Sequence, residues 1–122
     1  MPNGTLGLAL WSGFNFTGRR IVFRRRGVAV RDLRAFRFND MLSSFQVVNP
    51  NRNVTLVLFM HANFQGPFRV FRGSRNVADL RNFNFNDVTS SFVLVDRNLS
   101  DAEIERIQRT ATPPGNILVI RP

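Results

Sequence analysis

Two six-residue stretches hold the densest chemistry in this sequence: Asn39-Asp40-Met41-Leu42-Ser43-Ser44 and Asn86-Asp87-Val88-Thr89-Ser90-Ser91. Each places an amide, a carboxylate and then hydroxyls in a short loop ahead of an apolar run. Such a concentration of side-chain oxygens suits a hard cation, and calcium takes roughly six to eight oxygen ligands. The sequence therefore predicts two calcium loops.

These loops belong to a larger repeat. Asp32 to Asp40 aligns with Asp79 to Asp87 at a constant offset of 47 residues, whereas Trp11, Phe16 and Gly18 match Phe59, Phe64 and Gly66 at an offset of 48. The second copy has lost one residue between the two blocks. One structural unit has been duplicated.

The elements that must position the loops read as strands. Thr5 to Trp11 is rich in apolar residues, and Gly18 to Arg26 alternates, with Ile21 and Phe23 on one face and Arg20, Val22 and Arg24 on the other. A turn-rich connection over Ser12 to Thr17 makes the pair a hairpin. Val28 to Val30 supplies a third strand, and the loop from Arg34 to Leu42 delivers the chain to a fourth, Ser44 to Val48. After a linker of turn formers, Asn49 to Asn53, the scheme repeats with Val54 to Met60, Gly66 to Arg72, Asn76 to Asp79 and Ser91 to Val95. Two antiparallel four-stranded sheets, neither able to bury its apolar face alone, predict a β-sandwich. Thirteen Phe and one Trp can fill its core.

The tail has a different pattern. Ser100-Asp101-Ala102-Glu103 has capping-box spacing, and Ala102, Ile104, Ile107 and Gln108 follow at helical intervals, so a short helix is expected over residues 100 to 110. Thr112-Pro113-Pro114-Gly115 ends it. Asn116 to Ile120 is expected as a further strand or extended segment, either covering a sheet edge of its own molecule or pairing with another chain. The division expected is residues 1–96 as one domain, with its two units at about 5–49 and 54–96, and 97–122 as helix and tail.

At 122 residues the chain can bury a core of its own. It contains no cysteine, which removes disulfides and thiolate metal sites. Its formal net charge of +9 comes from arginine alone, because lysine is absent. No basic head precedes a long apolar run and no stretch approaches the roughly 20 apolar residues of a membrane helix. The expectation is a protein without membrane insertion and with a cytoplasmic address, or one released by a route that leaves no sequence mark.

Trp11-Ser12-Gly13-Phe14-Asn15-Phe16-Thr17-Gly18 and Phe59-Met60-His61-Ala62-Asn63-Phe64-Gln65-Gly66 resemble the hairpin signature of a βγ-crystallin Greek key: an aromatic, four residues, an aromatic, one residue, glycine. The two polar loops resemble the Asn/Asp-Asn/Asp-x-x-Ser/Thr-Ser calcium motif of microbial members. All four signatures fall in the family's order, over about residues 5 to 96. The resemblance implies a Greek key β-sandwich with two ions, each shared between the loops. By that resemblance, the first site takes the Ser43 hydroxyl, the Met41 carbonyl, the Asp87 carboxylate of the other loop and the Ser12 carbonyl. The second takes Ser90, the Val88 carbonyl, Asp40 and the Met60 carbonyl. Asn39, Asn86, Ser44 and Ser91 shape the loops. The hairpin position that is often acidic in the family is here Ser12 and Met60.

An enzyme is not expected. His61 is the only histidine, so nucleophile-plus-base arrangements and histidine metal sites cannot be assembled. The aromatic pairs are expected to be core, and His61 to be a plain surface residue. The expected role is structural or stress-protective, with calcium holding the fold together. A second reading takes the arginines around Arg19, Arg20, Arg24, Arg25 and Arg26 as a surface for nucleic acid or another polyanion. The chain is expected as a monomer or as a homodimer paired through the tail.

Overall fold

A computed structural model of the chain describes residues 6–48, 53–73, 76–115 and 117–120. Thr5, most of the expected linker (49–52) and Asn116 lie outside the described residues. The alternation at the start folds as anticipated: β1 (Gly7–Gly13) and β2 (Thr17–Arg24) form an antiparallel hairpin that pairs Leu8 with Phe23 and Leu10 with Ile21 on one face. The repeat builds the same hairpin from β5 (Thr55–His61) and β6 (Gln65–Arg72), where Leu56 faces Phe71. Between and after them come β3 (Gly27–Val30), β4 (Ser44–Val48), β7 (Asn76–Val77) and β8 (Ser91–Val95).

The sheets do not coincide with the sequence units. Sheet 1 runs β2-β1-β4-β7 and sheet 2 runs β6-β5-β8-β3, with one further strand beyond β3. Each unit therefore lends its third strand to the other unit's sheet, so the loops that follow β3 and β7 approach each other. Alternation fixes which face of a strand is buried, and it carries no information about which sheet the strand joins.

The fifth strand of sheet 2 is β9 (Leu118–Ile120), which pairs in parallel with β3 and places Val28 beside Leu118 and Val30 beside Ile120. The tail thus covers a sheet edge of its own molecule. The expectation of two four-stranded antiparallel sheets becomes one sheet of four strands and one of five. The physical reason is that β3 would otherwise offer a bare hydrogen-bonding edge beside the apolar Ile117 to Ile120 segment.

The main core lies between the sheets and includes the fully buried Phe38, Phe45, Phe85 and Phe92. A second core forms on the outer side of sheet 2. There α1 (Asp101–Thr110) lays Ile104 and Ile107 on Val57, Phe59, Phe64, Val93 and Val95. Ser100 Oγ accepts from the Glu103 amide while the Glu103 carboxylate accepts from the Ser100 amide, completing the expected capping box. Arg31 and Arg72 tie the tail down by donating to the Ala111 and Leu99 carbonyls. No helix among the described residues is long and apolar enough to cross a membrane.

Candidate cation site

Each polar loop is entered through a 3-10 turn. Asp32 caps the turn Leu33–Phe36 by accepting from the Arg34 amide at 2.9 Å, and Asp79 caps Leu80–Phe83 in the same way through Arg81. The arginine side chain folds back on the same carboxylate in both units, at 2.6 Å from Arg34 and 2.8 Å from Arg81. That side-chain hydrogen bond is the main reason both carboxyls lie below their ordinary value; burial opposes it, and the backbone bond and arginine charge add to it. Arg37 and Asn84 then end the turns in the left-handed region. Phe38 and Phe85 drop into the core immediately afterwards, anchoring the residue before each Asn-Asp pair.

Two arginines clamp these entries. The Arg19 guanidinium donates to the Phe36 and Arg37 carbonyls and lies over the Phe38 ring, 5.7 Å from its centroid. Arg69 does the same work in the second unit, donating to the Phe83 carbonyl at 3.0 Å and lying 4.9 Å from the Phe85 centroid. The last carbonyls of a helical turn lack internal partners, and a guanidinium is well shaped to supply donors to them. Sequence reading missed both clamps. Arg19 follows Gly18 directly whereas Arg69 stands two residues further from Gly66, so aligning the repeats does not pair them.

The loops themselves are joined to each other. Asp40 and Asp87 both adopt positive φ, at 56° and 57°, a region that aspartate tolerates better than most residues. In that conformation the Asp40 amide donates to the Thr89 carbonyl and the Asp87 amide to the Leu42 carbonyl, each at 3.0 Å. The side chains cross as well. Ser43 Oγ donates to Asp87 Oδ1 at 3.1 Å, and Ser90 Oγ donates to Asp40 Oδ1 at 3.1 Å. Both aspartates are exposed and both serines are buried.

The remaining expected ligands stand close in the chain to these pairs. The Ser43 amide donates to the Trp11 carbonyl, which brings Ser12 beside Ser43; the Ser90 amide donates to the Phe59 carbonyl, which brings Met60 beside Ser90. The hairpin register shifts between Trp11 and Gly13 and again between Phe59 and His61. Ser12 and Met60 therefore occupy the two irregularities, where ladder hydrogen bonding is interrupted. Met41 and Val88 are half-buried, their side chains packed on the main core.

Ser44 and Ser91 are already engaged. Ser44 Oγ donates to the Gly13 carbonyl and accepts from the Phe16 amide; Ser91 Oγ donates to the His61 carbonyl and accepts from the Phe64 amide. They brace the hairpin turns, where Trp11 meets Phe16 and Phe59 meets Phe64 edge to face at 5.3 Å and 5.7 Å. Gly18 and Gly66 close those turns at φ 82°, which glycine adopts without steric cost. His61 is exposed, as expected.

This donor set fits a calcium ion. Among the described residues no three His, Cys, Asp or Glu side chains gather, so a cation here would be held by one carboxylate per site together with neutral oxygens. Asn86 Oδ1 and Thr89 Oγ1, both in the second loop, are buried without a hydrogen-bond partner among the described residues. Buried oxygens left in that state are unusual in native proteins; neither atom belongs to the ligand sets expected from the sequence.

No protein-family model matches the sequence, and no curated protein matches it. Solved structures do. One described under the evolution of the eye lens βγ-crystallin domain fold is 27% identical, covering 77% of this chain and 88% of that one with a TM-score of 0.64. A βγ-crystallin from Ciona intestinalis is 22% identical over 70% of this chain and 95% of that one, with a TM-score of 0.57. A βγ-crystallin domain from Flavobacterium johnsoniae is 20% identical over 76% and 98%, with a TM-score of 0.58.

Proposed function

This chain folds as a βγ-crystallin domain, and from that premise we propose that it binds two calcium ions between its paired loops and serves a structural or stress-protective role. The observation that carries the reading is the crossed pairing of Ser43 with Asp87 and of Ser90 with Asp40. A hydroxyl from one loop and a carboxylate from the other are already adjacent, twice, in equivalent places.

Site 1 would be held by Ser43, the Met41 and Ser12 carbonyls and Asp87; site 2 by Ser90, the Val88 and Met60 carbonyls and Asp40. Bound there, the ion supplies positive charge that both loops can share. The residues of this chain do the rest: the 3-10 caps, the arginine clamps and the bracing serines hold the loops open toward solvent in one arrangement. With one carboxylate per site and a +9 background, the expected Kd lies at roughly 10⁻⁵ to 10⁻³ M. The domain is read as a binding module and not as a catalyst.

Because each ion draws on both units, saturation stabilises the fold. At a hundredfold excess over Kd each site contributes about 2.7 kcal/mol, which raises Tm by roughly 10 °C for a domain of this size. The test is a melt of chelator-stripped protein with and without calcium, with magnesium as the control. A rise specific to calcium supports the reading; identical melts refute it.

A further inference from the structure

The duplication presents the same surface twice, and the two copies have opposite character. On sheet 2 the outer row pairs Phe59 with Phe68 and Val57 with Val70, and α1 covers it. The matching row of sheet 1 pairs Trp11 with Arg20, Ala9 with Val22 and Gly7 with Arg24. Phe59 and Phe64 are fully buried beneath the helix. Their counterparts Trp11 and Phe16 are half-buried and belong to neither core, while Arg20 and Arg24 are exposed and Val22 is 37% exposed.

We propose that the outer face of sheet 1 binds single-stranded nucleic acid, with Arg20 and Arg24 holding phosphates and Trp11 stacking on a base. The proposal goes beyond the cation reading and does not rest on it. Three observations carry it. Charge is the first: no carboxylate occurs before Asp32, so Arg20 and Arg24, with the pair Arg25 and Arg26 that follows β2, have no acidic residue near them in the chain. The ion pairs among the described residues engage Arg34, Arg72, Arg81 and Arg97, and none engages this face.

The second is residue type. Where sheet 2 has Phe68, sheet 1 has Arg20, which removes the apolar row a helix or a membrane surface would need and leaves a planar fork suited to phosphate. The third is shape. A four-stranded antiparallel sheet with an aromatic pair and arginines on its open side is a stacking platform with a cationic border, the arrangement that binds unpaired bases without sequence readout. Arg20 and Arg24, four residues apart on one strand, are separated by roughly 13 Å, enough to contact different phosphates.

Trp11 is the only tryptophan, so with chelator keeping the cation loops empty its fluorescence reports this face. The experiment titrates the full chain, in chelator and at physiological ionic strength, with fluorescein-labelled oligo(dT) read by anisotropy and unlabelled oligo(dT) read by Trp11 quenching. Saturable binding with quenching is expected. Arg20→Ala with Arg24→Ala weakens it at least about tenfold and reduces the slope of log K against log salt by roughly 1.4, the share of two phosphates. Arg106→Ala with Arg109→Ala removes the same charge from α1 and leaves binding unchanged. Equal loss in the two double variants overturns the proposal, as does the absence of binding. Equally tight binding to base-free polyphosphate or to phosphatidylserine vesicles without Trp11 quenching also overturns it.

Discussion

The Ser43 hydroxyl donates to Asp87 Oδ1 across 3.1 Å although the two residues lie 44 positions apart in the chain. Ser90 and Asp40 repeat the contact, 50 positions apart. The contact exists because each unit sends its third strand into the other unit's sheet, which turns two separate loops into one paired assembly. The ligand sets proposed above have each ion use both loops, which that crossing brings together, and altering either loop has consequences that can be measured.

Exchange of single carboxylates separates the two sites. Asp87→Ala is expected to remove site 1 and Asp40→Ala site 2, each leaving about one ion per chain. Terbium, another hard oxygen-seeking ion, distinguishes them, because Trp11 adjoins the Ser12 carbonyl of site 1 whereas Phe59 holds the equivalent place at site 2. Trp11-sensitised terbium emission should vanish in Asp87→Ala and persist in Asp40→Ala. The reverse pattern would mean that each carboxylate serves its own loop.

Removing an arginine clamp should weaken calcium without unfolding the domain. Arg69 holds the entry to the second loop, which contributes Asp87 to one site and Val88 and Ser90 to the other, so Arg69→Ala is expected to weaken both. A cation–π contact together with a guanidinium–carbonyl bond contributes about 1 to 2 kcal/mol, so the calcium midpoint should rise severalfold or more. Unchanged affinity at both sites would show that the loop is held by Phe85 alone.

Acid should destabilise the metal-free protein through the caps. The Asp32 and Asp79 carboxyls lie below their ordinary value of 3.8 because the Arg34 and Arg81 side chains hydrogen-bond to them. A carboxyl whose folded pKa is depressed stabilises the fold fully above its unfolded value and loses that contribution as pH falls through the folded one. Urea-unfolding free energy measured in chelator should therefore decline below about pH 4. Asp32→Asn retains a capping oxygen but no charge, and should flatten that decline. An acid limb unchanged in Asp32→Asn would remove Asp32 from the account.

The helix is expected to carry a large share of stability. Ile104 is almost fully buried against the outer side of sheet 2, and Ile104→Ala should cost roughly 2 to 5 kcal/mol in urea unfolding. A change below about 1 kcal/mol would mean that the second core is loosely packed.

Much of this arrangement was legible before the fold was known. Ser44 to Val48 and Ser91 to Val95 occur as strands with the bounds the sequence implied, and the Ser100 to Glu103 spacing marked the start of α1. Those signals are local. The 3-10 turns after Asp32 and Asp79 went unread, although the repeated Asp-Leu-Arg carries their capping chemistry. The exchange of β3 and β7 between sheets was also hidden, since it depends on which strands meet across the core. The parallel docking of β9 on β3 was left open between an edge of its own molecule and another chain. The clamps of Arg19 and Arg69 could not be aligned because equivalent contacts come from non-equivalent positions.

The most direct measurement is a calorimetric titration of chelator-stripped protein with calcium, run beside magnesium. The crossed loops predict two calcium ions per chain with Kd of roughly 10⁻⁵ to 10⁻³ M, with magnesium failing to compete at equal concentration. A titration that yields no calcium heat, or a single ion per chain, would contradict the two-site arrangement built on Ser43 with Asp87 and Ser90 with Asp40.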